Sequence, residues 1–350
     1  MTCSVSTSRP APVGRHDEGV EAIEIGPDRG PTQPDLSVII PMRNAQQTIG
    51  SLLADLLVVD KISVEIIVVD DASVDASVEV ARSVGGPAVR VLRLPERRGA
   101  GHARNVGFAR ASGSYTLFFD ADDQVHAPAL QSAVSVLQDS GADVAFLPYR
   151  YRRGHTTHYE GMNSYDRAVW AHYAPRQRQV VGLGEVPRLL GFSNYPWNKI
   201  IRTTPLAYRG LRFGETLVHN DILGHWITML QARTLVLVDE PLCTHIVAEG
   251  AGHLTNHRSR IRLSLFDALG ETYRYLEQHP VLRNRYSHHY WDFTLRVSTW
   301  AAERIDTDLA AEFSALLQRH LLRMNLVDFS RIRQRRDPGL GSRIVRRALA

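Results

Sequence analysis

Cysteine and lysine are nearly missing from this chain. Among 350 residues there are two cysteines, Cys3 and Cys243, and only two of the 41 basic residues, Lys61 and Lys199, are lysines. Two thiols exclude a disulfide-rich scaffold and any multi-cysteine zinc site, and make a reducing compartment the default. Also missing are the roughly 20 continuous apolar residues of a membrane span and the N-terminal apolar run of a signal peptide, so a cytoplasmic chain is expected. The arginine bias fits the codon usage of a GC-rich genome and is given no function. A composition of 44% hydrophobic and 22% charged residues rules out a wholly disordered or fibrous chain. At roughly 100 to 200 residues per domain, the length suggests two domains or one large one with an appendage.

The net charge of +4 is unevenly spread. Residues 328–350 hold Arg331, Arg333, Arg335, Arg336, Arg343, Arg346 and Arg347 against Asp328 and Asp337, a local +5 that leaves the body at −1. A basic tail of this kind offers a peripheral contact to anionic lipid or a polyanionic acceptor. A solvated, poorly ordered terminus is the commoner explanation. No nucleic-acid partner is expected.

Residues 1–34, rich in Ser, Pro, Gly and charge without periodicity, read as a flexible leader. Regularity begins at Leu36. Short apolar strands are predicted at 36–40, 64–69, 89–94 and 115–119, separated by helices at 46–59, 75–84 and 103–111. A helix at 128–138 and a strand at 142–146 follow. Alternating elements whose strands are apolar throughout indicate a mainly parallel sheet covered on both faces. Residues 149–180, rich in Arg and Tyr, lose periodicity and read as a variable insertion. Order returns at 197–201, 220–230 and 235–238, and helices are predicted at 261–279, 281–304 and 308–324, with Pro280 at one boundary.

Ligands of open α/β sheets collect beyond the carboxyl ends of the strands. That rule selects residues 41–44, 70–73 and 120–123. Asp120, Asp122 and Asp123 put three carboxylates within four residues; hard oxygen donors this close suit Mg²⁺ or Mn²⁺, which bind through one or two carboxylates plus substrate phosphates. A solvated acidic turn is the alternative for an isolated Asp-x-Asp. The second acidic pair, Asp70 and Asp71, ends another strand and either accepts a hydrogen bond from a base or ribose or caps the next helix. Residues 99–107 are glycine-rich but lack G-x-G-x-x-G spacing and do not follow the first strand, which disfavours a dinucleotide site. Arg104 there faces nucleotide or phosphate, or else is structural.

Four segments in order, Leu-Ser-Val-Ile-Ile-Pro-Met-Arg-Asn (36–44), Glu-Ile-Ile-Val-Val-Asp-Asp-Ala-Ser (65–73), residues 99–107, and Leu-Phe-Phe-Asp-Ala-Asp-Asp (117–123), resemble the family 2 glycosyltransferases. The resemblance is strong over 35–148. It extends more weakly to 257 through Pro-Trp-Asn-Lys (196–199), residues 212–215 and residues 219–221. It implies an α/β GT-A fold, with a Rossmann-like, mainly parallel central sheet, helices on both faces, and a C-terminal helical region. The implied division is a catalytic domain at 35–257, split into donor (35–148) and acceptor (149–257) parts, then a helical region at 258–326 and a basic tail at 327–350.

By the same resemblance, Asp71, with Asp70, and Pro41 lie beside the nucleobase, Arg43 belongs to the nucleotide-sugar site, Asp120 lies on the nucleotide or sugar, and Asp122 on the metal, Mn²⁺ or Mg²⁺, with Asp123 a rival ligand. Enzymes of this kind invert the anomeric centre, using a carboxylate as base at a helix start. The usual Glu-Asp pair reads Asn220-Asp221 here, which makes Asp221 the candidate base; capping the helix is its other possible role. Trp197, Asn198 and Lys199 are assigned to the sugar or acceptor side, although Trp197 equally suits core packing. His245 and His253 fall in the place of a mobile loop over the pyrophosphate.

The function implied is metal-dependent inverting transfer from a nucleotide-sugar donor, expected to be a UDP-sugar, to a hydroxyl or amine of a glycan, lipid-linked or small-molecule acceptor. The alternative is a non-catalytic nucleotide-sugar binding or assembly protein. The C-terminal helices leave a homo-oligomer open. A phosphatase using Asp120 and Asp122 is disfavoured, because that motif normally follows the first strand.

Overall fold

The computed structural model describes residues 23–25, 33–154, 158–247 and 259–349. The chain opens with β1 (Ile23–Ile25), β2 (Leu36–Met42), α1 (Ile49–Leu57), β3 (Val64–Asp70), α2 (Ser77–Gly85), β4 (Val89–Arg93), α3 (Ala100–Phe108) and β5 (Tyr115–Phe118). Then come β6 (Gln124–Val125), α4 (Ala127–Ser140), β7 (Val144–Phe146), β8 (Tyr149–Arg153), β9 (Tyr159–Glu160), α5 (Ser164–Tyr173) and β10 (Val180–Val181). Next are β11 (Lys199–Arg202), α6 (Thr203–Tyr208), α7 (Asp221–Gln231), β12 (Leu235–Leu237) and β13 (Cys243–Val247). Helices α8 (Leu265–Gln278), α9 (Pro280–Ala302), α10 (Ala310–Leu321), α11 (Leu326–Arg331) and α12 (Pro338–Leu349) follow, with a π-helical turn at Ile332–Arg336 between the last two.

Nine strands form one sheet in the order β1-β4-β3-β2-β5-β11-β7-β12-β10. The β4-β3-β2-β5 block is parallel, β11 runs against both β5 and β7, and the two edge strands are antiparallel. Side chains alternate between two cores, as a sheet covered on both faces requires. Ile66, Val68 and Val91 join Leu52, Leu53, Val78 and Ala81 of α1 and α2. Ile67, Val69 and Leu92 meet Ala103 and Val106 of α3. Pro41 is tolerated in β2 because it lies beyond Ile39, the last residue paired with β5. Its missing N–H points to that vacated side, since Ile39 O accepts from Phe119 N while Met42 O accepts from Asp71 N.

Register brings the strand-end motifs together. Asp70 lies opposite both Met42 of β2 and Arg93 of β4, and Phe118, two residues before Asp120, lies opposite Ile39. A second, four-stranded sheet, β6-β13-β8-β9, sets His245 opposite Tyr151 and Cys243 opposite Val125, next to the acidic turn.

Three expectations change. Ile23–Ile25, inside the expected leader, is an edge strand on Val91–Arg93; residues 1–22 and 26–32 lie outside the described residues. The supposed insertion at 149–180 contains β8, β9, α5 and β10: in β8, Tyr149 and Tyr151 point inward while Arg150 faces solvent, a strand alternation that arginine obscures by composition. The basic tail is helical, because Leu340, Gly341 and Ile344 form a buried stripe at helical spacing on α12, and Arg343 pairs with Asp292 of α9 at 2.9 Å.

The C-terminal helices pack against α7. Trp226 is fully buried and meets Tyr290 of α9 edge-on at 5.5 Å, and Tyr290 donates a 2.7 Å hydrogen bond to Leu269 O of α8. Losing a buried tryptophan of this kind costs about 3–5 kcal/mol, so the helix that starts with Asp221 is held mainly from behind. Among the described residues no helix is long and apolar enough to cross a membrane.

Candidate active site

At the end of β3 the two aspartates divide their tasks. Buried Asp70 accepts from Ser73 N at 3.1 Å and pairs with Arg93 Nε at 3.3 Å, which fixes the turn after the strand. Asp71 reaches across to the start of α3, where its carboxylate accepts from Arg98 N at 2.6 Å and Gly99 N at 2.9 Å. Gly99, the residue before α3, has no side chain to cap the helix and a φ of 90°, a conformation suited to glycine. A carboxylate from a neighbouring strand supplies the missing acceptor. Arg43 braces the same turn, donating to Asp71 O at 2.7 Å and Ala72 O at 2.8 Å, and Ala72 holds a φ of 55°.

The decisive contact belongs to Arg104, on α3. Its guanidinium donates to Asp120 Oδ1 at 2.5 Å and to Asn220 Oδ1 at 2.7 Å, with Phe213 stacked beside it at 5.2 Å. One buried cation thus ties the end of β5 to the residue before α7. Gly101 allows this approach: a Cβ there would fall 1.8 Å from Gly214 O. Asn220 does not cap α7 with its side chain, which is occupied by Arg104 and by Thr216 O. Asp221 opens α7. Burial raises its pKa; Arg104 opposes, Asp120 adds to the rise, and Lys199 opposes.

In the acidic turn Asp120 is about one-quarter exposed and Asp122 half-buried, whereas Asp123 is buried. Asp123 Oδ1 accepts from His245 Nδ1 at 2.8 Å and from Ile246 N at 2.9 Å, while its buried Oδ2 has no hydrogen-bond partner among the described residues. Burial pushes its pKa to about 6, with His245 pulling down and Asp122 and Asp120 pushing up. For His245, burial acts downward but the Asp123 carboxylate outweighs it, and its pKa is raised. Among the described residues no three His, Cys, Asp or Glu side chains converge to hold an ion by themselves. The donor set nevertheless fits Mg²⁺ or Mn²⁺ completed by phosphate and water: hard oxygens on adjacent residues, one of them buried and unsatisfied among the described residues.

The 197–199 segment sits deeper than the sequence suggests. Trp197 is fully enclosed, stacked on Tyr195 with centroids 4.4 Å apart, so its ring lines core and not an open sugar face. Asn198 is also buried, donating to Ser193 O at 2.9 Å and accepting from Lys199 Nζ. Lys199 donates to Tyr195 O at 2.8 Å; burial drives its pKa to about 7 against the pull of Asp221 and Asp166. Of the assigned residues, Arg104, Asp120, Asp221 and Lys199 therefore gather together, and Asp122, Asp123 and His245 form the adjoining acidic turn. Pro41, Arg43, Asp70 and Asp71 build the neighbouring strand-end floor. His253 lies outside the described residues. Sequence reasoning missed Glu215, which meets His102 Nδ1 at 3.2 Å and Arg98 at 3.6 Å, and buried Asp166, bonded to Tyr149 Oη at 2.6 Å. Both contacts join distant segments; Glu215 closes the matching 212–215 segment, but no local pattern gives either residue its partner.

Residues 37–195 match the family described as Glycosyl transferase family 2. The chain carries a family 2 glycosyltransferase domain. This domain match ends before α7, so Asp221 lies beyond it. The succinoglycan biosynthesis protein ExoO of Rhizobium meliloti is 32% identical over 112 residues, 32% of this chain and 32% of that protein. The uncharacterized glycosyltransferase YibD of Escherichia coli is 37% identical over 112 residues, 31% of this chain and 32% of that one. The chain thus spans about a third of the length of these curated relatives.

The family 2 domain and its helical extension also resemble solved structures. Staphylococcus aureus TarS residues 1–349, in complex with UDP-GlcNAc, superposes with a TM-score of 0.68 at 18% identity, covering 90% of this chain and 88% of that one. The mannosyltransferase PcManGT of Pyrobaculum calidifontis, in complex with GDP-Man and Mn²⁺, gives 0.51 at 17% identity, covering 91% and 87%. At these identities the likeness is one of fold, and it bears out the GT-A architecture with its C-terminal helices.

Proposed function

We propose that this protein is an inverting glycosyltransferase that moves a sugar from a nucleotide diphosphate, with UDP as the expected carrier, to an acceptor hydroxyl or amine. The observation that carries the reading is the Arg104 bridge, which draws Asp120 at the donor edge of the sheet toward the start of α7 and Asp221. TarS, of the same fold, is described as a poly(ribitol-phosphate) β-N-acetylglucosaminyltransferase, which supports a nucleotide-sugar donor here.

In the proposed reaction Asp221 accepts the proton of the acceptor group as that group attacks the anomeric carbon. The new glycosidic bond forms while the bond to the diphosphate breaks on the opposite side, and the electron pair leaves with the diphosphate. A carboxylate whose pKa is raised by burial is a better proton acceptor than a solvated one. Asp122 and Asp123 would hold Mn²⁺ or Mg²⁺, which supplies Lewis-acid neutralisation of the departing diphosphate. Asp71 fixes the backbone at 98–99 on the nucleotide side, and Arg104 fixes Asp120.

Asn220, where the family usually has an acid, favours a non-catalytic binding protein as the second reading. In this chain, however, Asn220 Oδ1 has the task of holding Arg104. Incubating the protein with UDP-, GDP- and dTDP-sugars plus Mn²⁺, and measuring both retention and turnover, separates the two readings. Sugar release or transfer supports the transferase, retention without turnover supports the binding protein, and neither with any donor would remove both.

A further inference from the structure

The helices far along the chain carry a feature that sugar transfer does not use. A concavity of about 440 Å³ is lined by Asn284 of α9 and by Arg331, Arg335 and Arg336 of α11 and the π-helical turn. Asp328, buried beneath it, answers Arg331 at 3.0 Å and Arg283 at 3.4 Å. Arg335 and Arg336 are exposed and make no ion pair among the described residues. The next acid, Asp337, is engaged at the start of α12, where it accepts from Leu340 N at 2.8 Å.

Large apolar side chains stand in solvent at the same place. Val327 is 65% exposed and lies four and eight residues before Arg331 and Arg335, on one helix stripe. Its neighbour Leu326 is 84% exposed, and Val281, 81% exposed, precedes Asn284 by three residues on α9. Uncompensated arginines beside protruding aliphatic side chains are the composition of a protein face that lies on a lipid surface: guanidinium forks meet phosphate while apolar tips enter the headgroup boundary. A soluble phosphate ligand would explain the arginines but not the three exposed aliphatic residues.

We propose that this face, centred on Arg335, Arg336, Leu326 and Val327, docks the protein on the surface of an anionic lipid bilayer. The docking needs no nucleotide sugar, so it stands or falls independently of the transferase reading. The test is co-sedimentation of the full chain with vesicles of phosphatidylcholine alone or mixed with phosphatidylglycerol. Binding is expected only to the anionic vesicles and weakens as salt rises. R335E/R336E lowers it at least about twenty-five-fold, since each surface arginine contributes about fivefold. L326S/V327S lowers it several-fold even at low salt, with an unchanged melting temperature because both side chains are already in water. R346E/R347E makes the same charge change elsewhere and serves as the control; equal loss from either arginine pair would mean diffuse attraction and overturn the assignment of this face. Binding of inorganic phosphate without vesicle binding, or vesicle binding indifferent to both face variants, would overturn the proposal.

Discussion

Replacing Asp221 by asparagine separates the two roles its position allows. If the carboxylate only capped α7, Asn would serve nearly as well, since the two residues rank together at helix caps. If it takes the acceptor's proton, Asn cannot, and turnover falls about 10²–10⁴-fold, or about 3–5 kcal/mol at about 1.4 kcal/mol per tenfold. Stability moves the other way. Burial raises the pKa of Asp221, so between the ordinary aspartate value and the raised one the folded state binds more protons than the unfolded state. Wild-type stability therefore falls as pH rises through that window, and the penalty is fully present above it. A neutral Asn of the same shape escapes this penalty, so D221N should melt at or above the wild-type temperature at neutral pH while losing turnover, the signature of a strained functional group. Single-turnover rates with a UDP-sugar and thermal melts at several pH values measure both effects. Near-wild-type turnover in D221N, or a clear drop in its melting temperature, would refute the reasoning.

Arg104→Met keeps the stem against Phe213 but removes two charge-assisted hydrogen bonds, each worth about 1.5–3 kcal/mol. With Asp120 partly able to rehydrate, calorimetry should register a loss of about 2–4 kcal/mol. Turnover should drop further than this stability loss explains, whereas an unchanged melting profile would mean the bridge is idle. For Lys199, held near 7 by burial, the unfolded state binds more protons above that pH. Stability should climb with pH from about 7 to 9 by up to about 1.4 kcal/mol per unit; K199M should flatten that slope in urea titrations, and an equal slope in both proteins would contradict the assignment. Asp122→Ala should weaken Mn²⁺-dependent retention of UDP-sugar in calorimetric titration while leaving any metal-free binding intact. Identical titrations with and without the substitution would move the metal elsewhere.

The first part of the sheet was largely readable because its strands are continuous apolar runs, and β2, β3 and β5 end in the motifs themselves. What stayed hidden depended on contacts between distant segments. Arg104 is 116 residues from Asn220, and nothing local says that its guanidinium would face the chain and not a nucleotide. Asp71 looked like a cap for the helix after it but serves the helix after the next strand. Trp197 offered no clue to its burial, since a tryptophan beside Asn and Lys suits a sugar face or a core equally well. The arginines of β8 and α12 masked regular structure by composition, although the alternation of Tyr149 and Tyr151 and the spacing of Leu340 and Ile344 were present in the letters.

Because Trp226 faces Tyr290, the far side of the helix bearing Asp221 is wallpapered by residues contributed after position 258. A shortened version ending with β13 would leave an indole and its greasy surroundings bare to water. Anyone trimming this protein to a minimal unit must therefore either keep those later helices or redesign the face they cover.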